Sequence, residues 1–308
     1  MLKRLSPSAL AHILLLAVVF VWGTTFVLVK DALQDASPLL FNLLRMTLAF
    51  IALAIINHRQ LRHINRRALI ASIIVGIFLA AGYQFQTAGL ALTTPAKSAF
   101  ITGLVVVFVP LFTLIPALRS PNTPKPRWTT AIGTLLAFSG LLLLTTPSGT
   151  SFQNLFTSIG LGDLLTLGCA IAFAAHLLSL AHTSHQVPTA QLATLQIGAA
   201  ALIMAITLPI GGTPHVSFTP RLITALAVTS LLATAAAFTI QSWAQQHLPP
   251  THTAILLTHE PVFACLTSYL ILHERLGRRS LLGATLILAG IASIEFLSAA
   301  APVPMHPD

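Results

Sequence analysis

The sequence predicts an all-α integral membrane protein of ten transmembrane helices, arranged as two inverted five-helix repeats. Three observations carry that prediction. The 308 residues are 55% hydrophobic and only 7% charged, with a mean hydropathy of +0.86, whereas a soluble domain uses roughly 25% charged residues to solvate its surface. Apolar runs of spanning length recur at 9–29, 37–56, 68–92, 97–118, 128–145, 159–181, 191–209, 222–243, 253–272 and 281–297; about 20 such residues cross a hydrocarbon core of ~30 Å. The chain also repeats itself at an offset near half its length.

The repeat is read from short matches. Val109-Pro110-Leu111-Phe112 corresponds to Glu260-Pro261-Val262-Phe263, and Gly133 and Gly140 correspond to Gly283 and Gly290. Upstream, TPAKSA (94–99) aligns with PPTHTA (249–254) at a slightly larger offset. The copies, 9–145 and 159–298, each hold five spans, and an odd number forces opposite orientations, the plan of many secondary transporters. Connections such as QDASP, TTPAK, SHQVP and PIGGTP are short and carry proline, leaving no room for a soluble domain.

Basic residues set the orientation. Lys3 and Arg4, the second connection (Arg59, Arg62, Arg66, Arg67) and the fourth (Arg119, Lys125, Arg127) share one side, while the first connection holds Asp31 and Asp35. The positive-inside rule makes that side cytoplasmic. Arg275, Arg278 and Arg279 break the pattern, because the helix count puts their loop outside. The first span is long enough to cross and shows no small-residue cleavage site, so no cleavable signal peptide is expected.

Residues 256–275, LLTHEPVFACLTSYLILHER, place Glu260 well inside the ninth span. An ionisable group there costs on the order of 3 kcal/mol unless it faces protein or a water-filled cavity. Its repeat mate is Val109, so the proline is shared between copies and the carboxylate is not. That asymmetry fits proton coupling or a counter-charge to an amine; a hydrogen bond to freed backbone or a neighbouring helix is the structural alternative. Gly82, Gln86, Gly89 and Thr93 form one helical stripe, and Phe238, Gln241 and Gln245 form another with Trp243 off it. Gln86 and Gln241 at equivalent places fit a shared polar cavity or, equally, interhelical hydrogen bonds. Arg45 lies too deep to snorkel and needs an internal partner or a substrate acid, whereas Lys97 can reach the interface and Asp163 can cap its span. His176 and Gln196 add polar groups to the second half.

Other classes find little support. The net charge of +9 sits in short loops, so no nucleic-acid partner is expected. Cys169 and Cys265 lack CxxC spacing and neither His-Glu pair extends to HExxH, so no metal or disulfide framework is expected. No nucleotide or other cofactor motif appears, nor the paired groups of an intramembrane enzyme. A sensor or scaffold would need a larger loop.

VWGTTFVLVK (21–30), SPLLFNLLRMTLAF (37–50), KSAFITGLVVVFVPL (97–111) and EPVFACLTSYLILHERLGRRSLLGATLILAGI (260–291) resemble the EamA branch of the drug/metabolite transporter superfamily, in two copies. The resemblance implies a ten-helix carrier in a prokaryotic inner membrane, both termini cytoplasmic, exporting amino acids or other small metabolites. It also implies that Glu260-Pro261 and Glu274 are family features, while the first copy lacks the corresponding acid. The expected substrate site draws on Thr25, Arg45, Tyr83, Gln86, Gln241 and Glu260, with His176, Gln196 and Trp243. Arg45 would suit a substrate carboxylate, Glu260 an amine or a proton, and Tyr83 or Trp243 an apolar group.

Overall fold

The structure, a computed structural model, describes residues 6–115, 128–146, 159–248, 253 and 256–299. The basic residues of the 119–127 loop, Lys3, Arg4 and most of the 249–254 repeat match lie outside them. The described residues are helical apart from turns and an isolated antiparallel bridge between Ala36 and Val216. Seven helical stretches are long and apolar enough to cross a membrane, and Ala131–Thr145 and Glu260–Leu272 are shorter apolar helices.

The helix starts explain the Ser-Pro and Thr-Pro dipeptides. Helices α1 (Pro7–Ala32), α2 (Pro38–Ile56), α4 (Pro95–Thr102) and α9 (Pro220–Ser230) all open on a proline preceded by Ser6, Ser37, Thr94 or Thr219. Proline lacks an N–H where the helix has no acceptor for it, and the Ser6, Thr94 and Thr219 hydroxyls accept from the third residue along. Asn65 caps α3 (Arg66–Leu92) in the same way, accepting from Ala68 N at 2.7 Å. The remaining helices are α5 (Val105–Phe112), α6 (Trp128–Thr145), α7 (Leu161–Thr183), α8 (Thr189–Thr207), α10 (Ala237–Ala244), α11 (Glu260–Leu272) and α12 (Arg278–Ala299).

Two spans expected to be regular are broken, and a third is widened within its length. The fourth divides into α4 and α5 at Gly103-Leu104, and Val105 to Val109 are all buried. Irregular backbone at membrane depth is tolerated where protein covers it, and this stretch is 78% buried. The eighth contains a π-helical segment, Leu231–Ala236, between α9 and α10. The ninth breaks at Thr258-His259, so Glu260 is the first residue of α11 rather than mid-helix. Pro261 therefore falls in the first turn, where its missing N–H costs nothing.

Helices α6 and α12 pack backbone to backbone. A Cβ on Gly140 would come 2.5 Å from the Gly283 carbonyl oxygen, and one on Gly290 would collide with the Gly133 carbonyl oxygen. Both contacts cross between the glycine pairs matched in the repeat.

Charges concentrate at the end of the bundle where α1 and α3 finish. Lys30 Nζ donates to the carbonyls of Leu90, Ala91 and Thr93 at 2.8, 3.0 and 2.9 Å. Lys97 does not snorkel; it pairs with Asp163 at 2.9 Å, and Thr93 donates to the same carboxylate. Glu274 accepts from Ala96 N and from the Ser268 hydroxyl. Since α3 runs 27 residues, or about 40 Å, the 273–279 loop lies at the opposite end from Arg66. The conflict with the positive-inside rule is therefore real in the fold. Arg279 finds a partner there in the Thr146 hydroxyl, 2.6 Å away.

Arg221 clasps Asp35 with two bonds, Nε to Oδ2 at 2.7 Å and Nη2 to Oδ1 at 2.8 Å, and Thr219 adds a third. Arg221 first and Thr219 second hold the Asp35 carboxyl down at about 2. The folded value lies below the ordinary ~3.9, so the clasp contributes fully above that pH and fades as pH falls towards 2. Melting curves from pH 7 to pH 3 should show an acid-side loss of stability that Asp35→Asn removes. Gly140→Leu should lower stability by about 1–3 kcal/mol through overpacking, measured as a reduced Tm in detergent.

Candidate functional site

The π-helical segment sets the site. Widening the turn to i→i+5 leaves the Ala233 carbonyl open to side-chain donors. Trp22 Nε1 donates to it at 2.8 Å and Arg45 Nη2 at 3.3 Å. Arg45 Nε donates to Thr234 Oγ1 at 2.7 Å, and that hydroxyl donates to the Thr229 carbonyl. The guanidinium also donates to the Tyr83 hydroxyl at 3.0 Å and lies 4.2 Å over the same ring. Tyr83 is held from below, because Asn42 donates to its carbonyl at 2.8 Å while accepting from Thr87. Arg45, at 3% exposure, thus has the internal partners that its depth demanded.

These groups wall a cavity of about 770 Å³, counting its open mouth. It draws on both halves of the chain. Of the candidate residues, Thr25, Arg45, Tyr83, Gln86, His176, Gln241 and Glu260 line it. Gln196 does not; it stands behind the wall and accepts from His176 Nε2 at 3.0 Å, while its own amide donates to Ser242. That chain puts the His176 proton on Nε2. Trp243 is elsewhere, stacked on His247 at 4.4 Å and packed near Ala11 and Leu15. Being off the Gln241 stripe, it turns to a different surface.

Sequence reading put Phe238 on the Gln241 stripe but missed the rest of the aromatic wall. Trp22, Phe26, Phe173 and Phe238 join Tyr83 around the cavity. Tyr83 meets Phe173 edge-on at 5.2 Å and Phe238 at 6.0 Å, and Trp22 lies 5.5 Å from Phe238. Trp22 carried a signal, since an indole deep in a span needs an acceptor for its N–H; Phe173 carried none. Glu260 lines the cavity from the start of α11, and among the described residues no hydrogen bond or ion pair engages its carboxylate. Gln241 is 3% exposed, and its amide oxygen, itself buried, has no partner among the described residues. Among the described residues, no cluster of His, Cys, Asp and Glu could hold a metal ion.

A family model for the EamA-like transporter family matches residues 9–146 and again 160–296. The chain belongs to that family. It is 31% identical over 278 residues to an Archaeoglobus fulgidus protein named as an uncharacterized transporter, covering 90% of this chain and 83% of that one. It is 25% identical over 281 residues to the Bacillus subtilis transporter YoaV, also named uncharacterized, covering 90% and 94%. A crystal structure at 18% identity superposes with a TM-score of 0.68 over 94% of this chain and 97% of the other, which shows a shared fold. This EamA protein is a multi-pass membrane transporter and not an enzyme.

His176→Ala would strand the buried Gln196 carbonyl oxygen. A loss of about 1–3 kcal/mol is expected, read as a lower Tm that His176→Gln partly restores.

Proposed function

We propose that the protein is a secondary carrier of small amine-bearing metabolites, amino acids among them, working by alternating access between two inverted five-helix repeats, 9–145 and 159–298. The crossed glycine contacts and the two successive family matches support that repeat plan. Both termini lie in the cytoplasm of an inner membrane in this reading, the substrate leaves the cell, and Glu260 carries either a proton or the substrate amine. The observation that carries the reading is the Glu260 carboxylate, facing a cavity between the halves with no protein partner among the described residues.

An unpaired acid at membrane depth needs a cation, and a carrier supplies one by turns: substrate in one half-cycle, proton in the other. Gln241, Gln86 and Thr25 add neutral polar contacts, and the aromatic wall suits an apolar substituent. Proteoliposomes preloaded with labelled amino acids and amines should show flux that rises with an imposed pH gradient. Glu260→Gln should reduce gradient-driven flux at least ~100-fold, about 2.7 kcal/mol. Equal flux in both proteins without a gradient would refute the coupling role.

A further inference from the structure

Three arginines fall close together at the end of the bundle where α1 and α3 finish: Arg275 in the loop after α11, and Arg278 and Arg279 at the start of α12. Arg279 turns towards α6, where its Nη2 reaches the Thr146 hydroxyl. Arg275 and Arg278 are exposed, and neither makes an ion pair among the described residues. Neither lines the cavity, so a substrate held there does not neutralise them.

The chain has no carboxylate left for this pair. Of its seven acidic residues, those at this end are engaged: Asp31 and Asp35 hold Arg221, Asp163 holds Lys97, and Glu274 accepts from Ala96 N and the Ser268 hydroxyl. Glu260 lines the cavity, Glu295 lies about 25 Å along α12, and Asp308 follows the far end of that helix in sequence. A second copy of the chain would bring the same engaged acids to this end. The immediate surroundings are lipid instead. Leu270, Ile271 and Leu272 close α11, Leu281 and Leu282 open α12, and all five are exposed. Tyr269 beside them is half-exposed, as suits an aromatic at the membrane–water boundary. The two arginines thus stand between lipid-facing helix ends, at headgroup depth.

We infer that Arg275 and Arg278 bind the phosphate of an anionic phospholipid, whose acyl chains lie along the exposed faces of α11 and α12. A guanidinium meets phosphate oxygens with two parallel N–H bonds. Each basic residue at an anionic bilayer surface adds about fivefold to binding, so the pair prefers a headgroup with net negative charge over one whose phosphate a choline cancels. The site gives a role to arginines that the positive-inside rule does not place at this end. It lies outside the cavity and is independent of what the carrier transports.

The test places the full-length protein in phosphatidylcholine nanodiscs holding a minor share of phosphatidylglycerol with a photoreactive group near the headgroup. A parallel sample carries the same group on phosphatidylcholine, and cross-linked peptides are read by mass spectrometry. Label on 266–282 should be about fivefold or more higher for the anionic lipid, and the excess should shrink at about 1 M salt. Arg275→Gln with Arg278→Gln should bring the two lipids to parity, whereas Lys at both positions should keep most of the excess. Both positions are exposed, so these changes cost little stability, and an unchanged Tm checks it. Arg59→Gln with Arg62→Gln, at the other end, should leave the excess intact. Equal labelling of the wild type by both lipids, or an excess that survives the double Gln substitution, would overturn the inference. Loss of the excess to inorganic phosphate at constant ionic strength would also overturn it, making the pair a site for soluble anions.

Discussion

The Arg45 guanidinium is the interaction on which the cavity depends. A charge buried at membrane depth must be solvated by protein, and here Arg45 on α2 is solvated by groups from two other elements: Tyr83 on α3, and Thr234 and the Ala233 carbonyl in the π-helical segment. Meeting that requirement fixes how α2, α3 and the eighth span approach one another. The wider turn is part of the solution, since a regular α-helix would keep the Ala233 carbonyl within its own ladder. Trp22 uses the same carbonyl, which brings α1 into the arrangement. One charged group thereby sets the positions of Trp22, Tyr83 and Phe238, and with them the shape of the space they enclose.

Much of this was legible in the sequence, and the illegible parts have physical reasons. Several span limits follow from hydrocarbon thickness, so helix ends such as Ile56 and Leu92 fell where apolar runs stop. Seven of the nine candidate site residues line the cavity because a polar residue inside a span has few places to go. Helix breaks were hidden, since VVVFVPLF and the stretch around Glu260 are apolar whether straight or bent. Gln196 misled because it is polar and buried like the others, yet its partner is His176 rather than the cavity. Most of the aromatic wall was invisible because Phe173 facing a cavity and a phenylalanine facing lipid look alike in composition.

The two ends of the bundle solve their charge problems differently. Every ion pair found among the described residues lies at the end where α1 and α3 finish: Lys97 with Asp163, and Arg221 with Asp31 and Asp35. Lys30 is held there by carbonyls and the Arg279 Nη2 by Thr146, although Arg279 Nε is buried with no partner among the described residues and Arg275 and Arg278 stay exposed. At the other end, Arg59, Arg62 and Arg66 are exposed, and the halves meet through neutral acceptors, as where Gln191 donates to the Gln60 and His63 carbonyls. The positive-inside rule concerns charge that must stay in water. Most basic side chains at the far end are neutralised or shared within the fold, so their presence there conflicts with the rule less than a residue count implies.

Helix α4 joins the charged end to the cavity. Its first turn is held by second-half acids, Asp163 on Lys97 and Glu274 on Ala96 N, and its last residue, Thr102, lines the cavity beside Gly103. Eight residues of helix are about 12 Å, a rigid strut between the two. At Gly103 a side chain would fit only tightly, since a Cβ would approach the Pro261 ring to 3.0 Å. The break after α4 therefore packs against the first turn of α11, where Glu260 sits. Static packing thus runs unbroken from the ionic end of the bundle, through α4, to the turn that carries the Glu260 carboxylate.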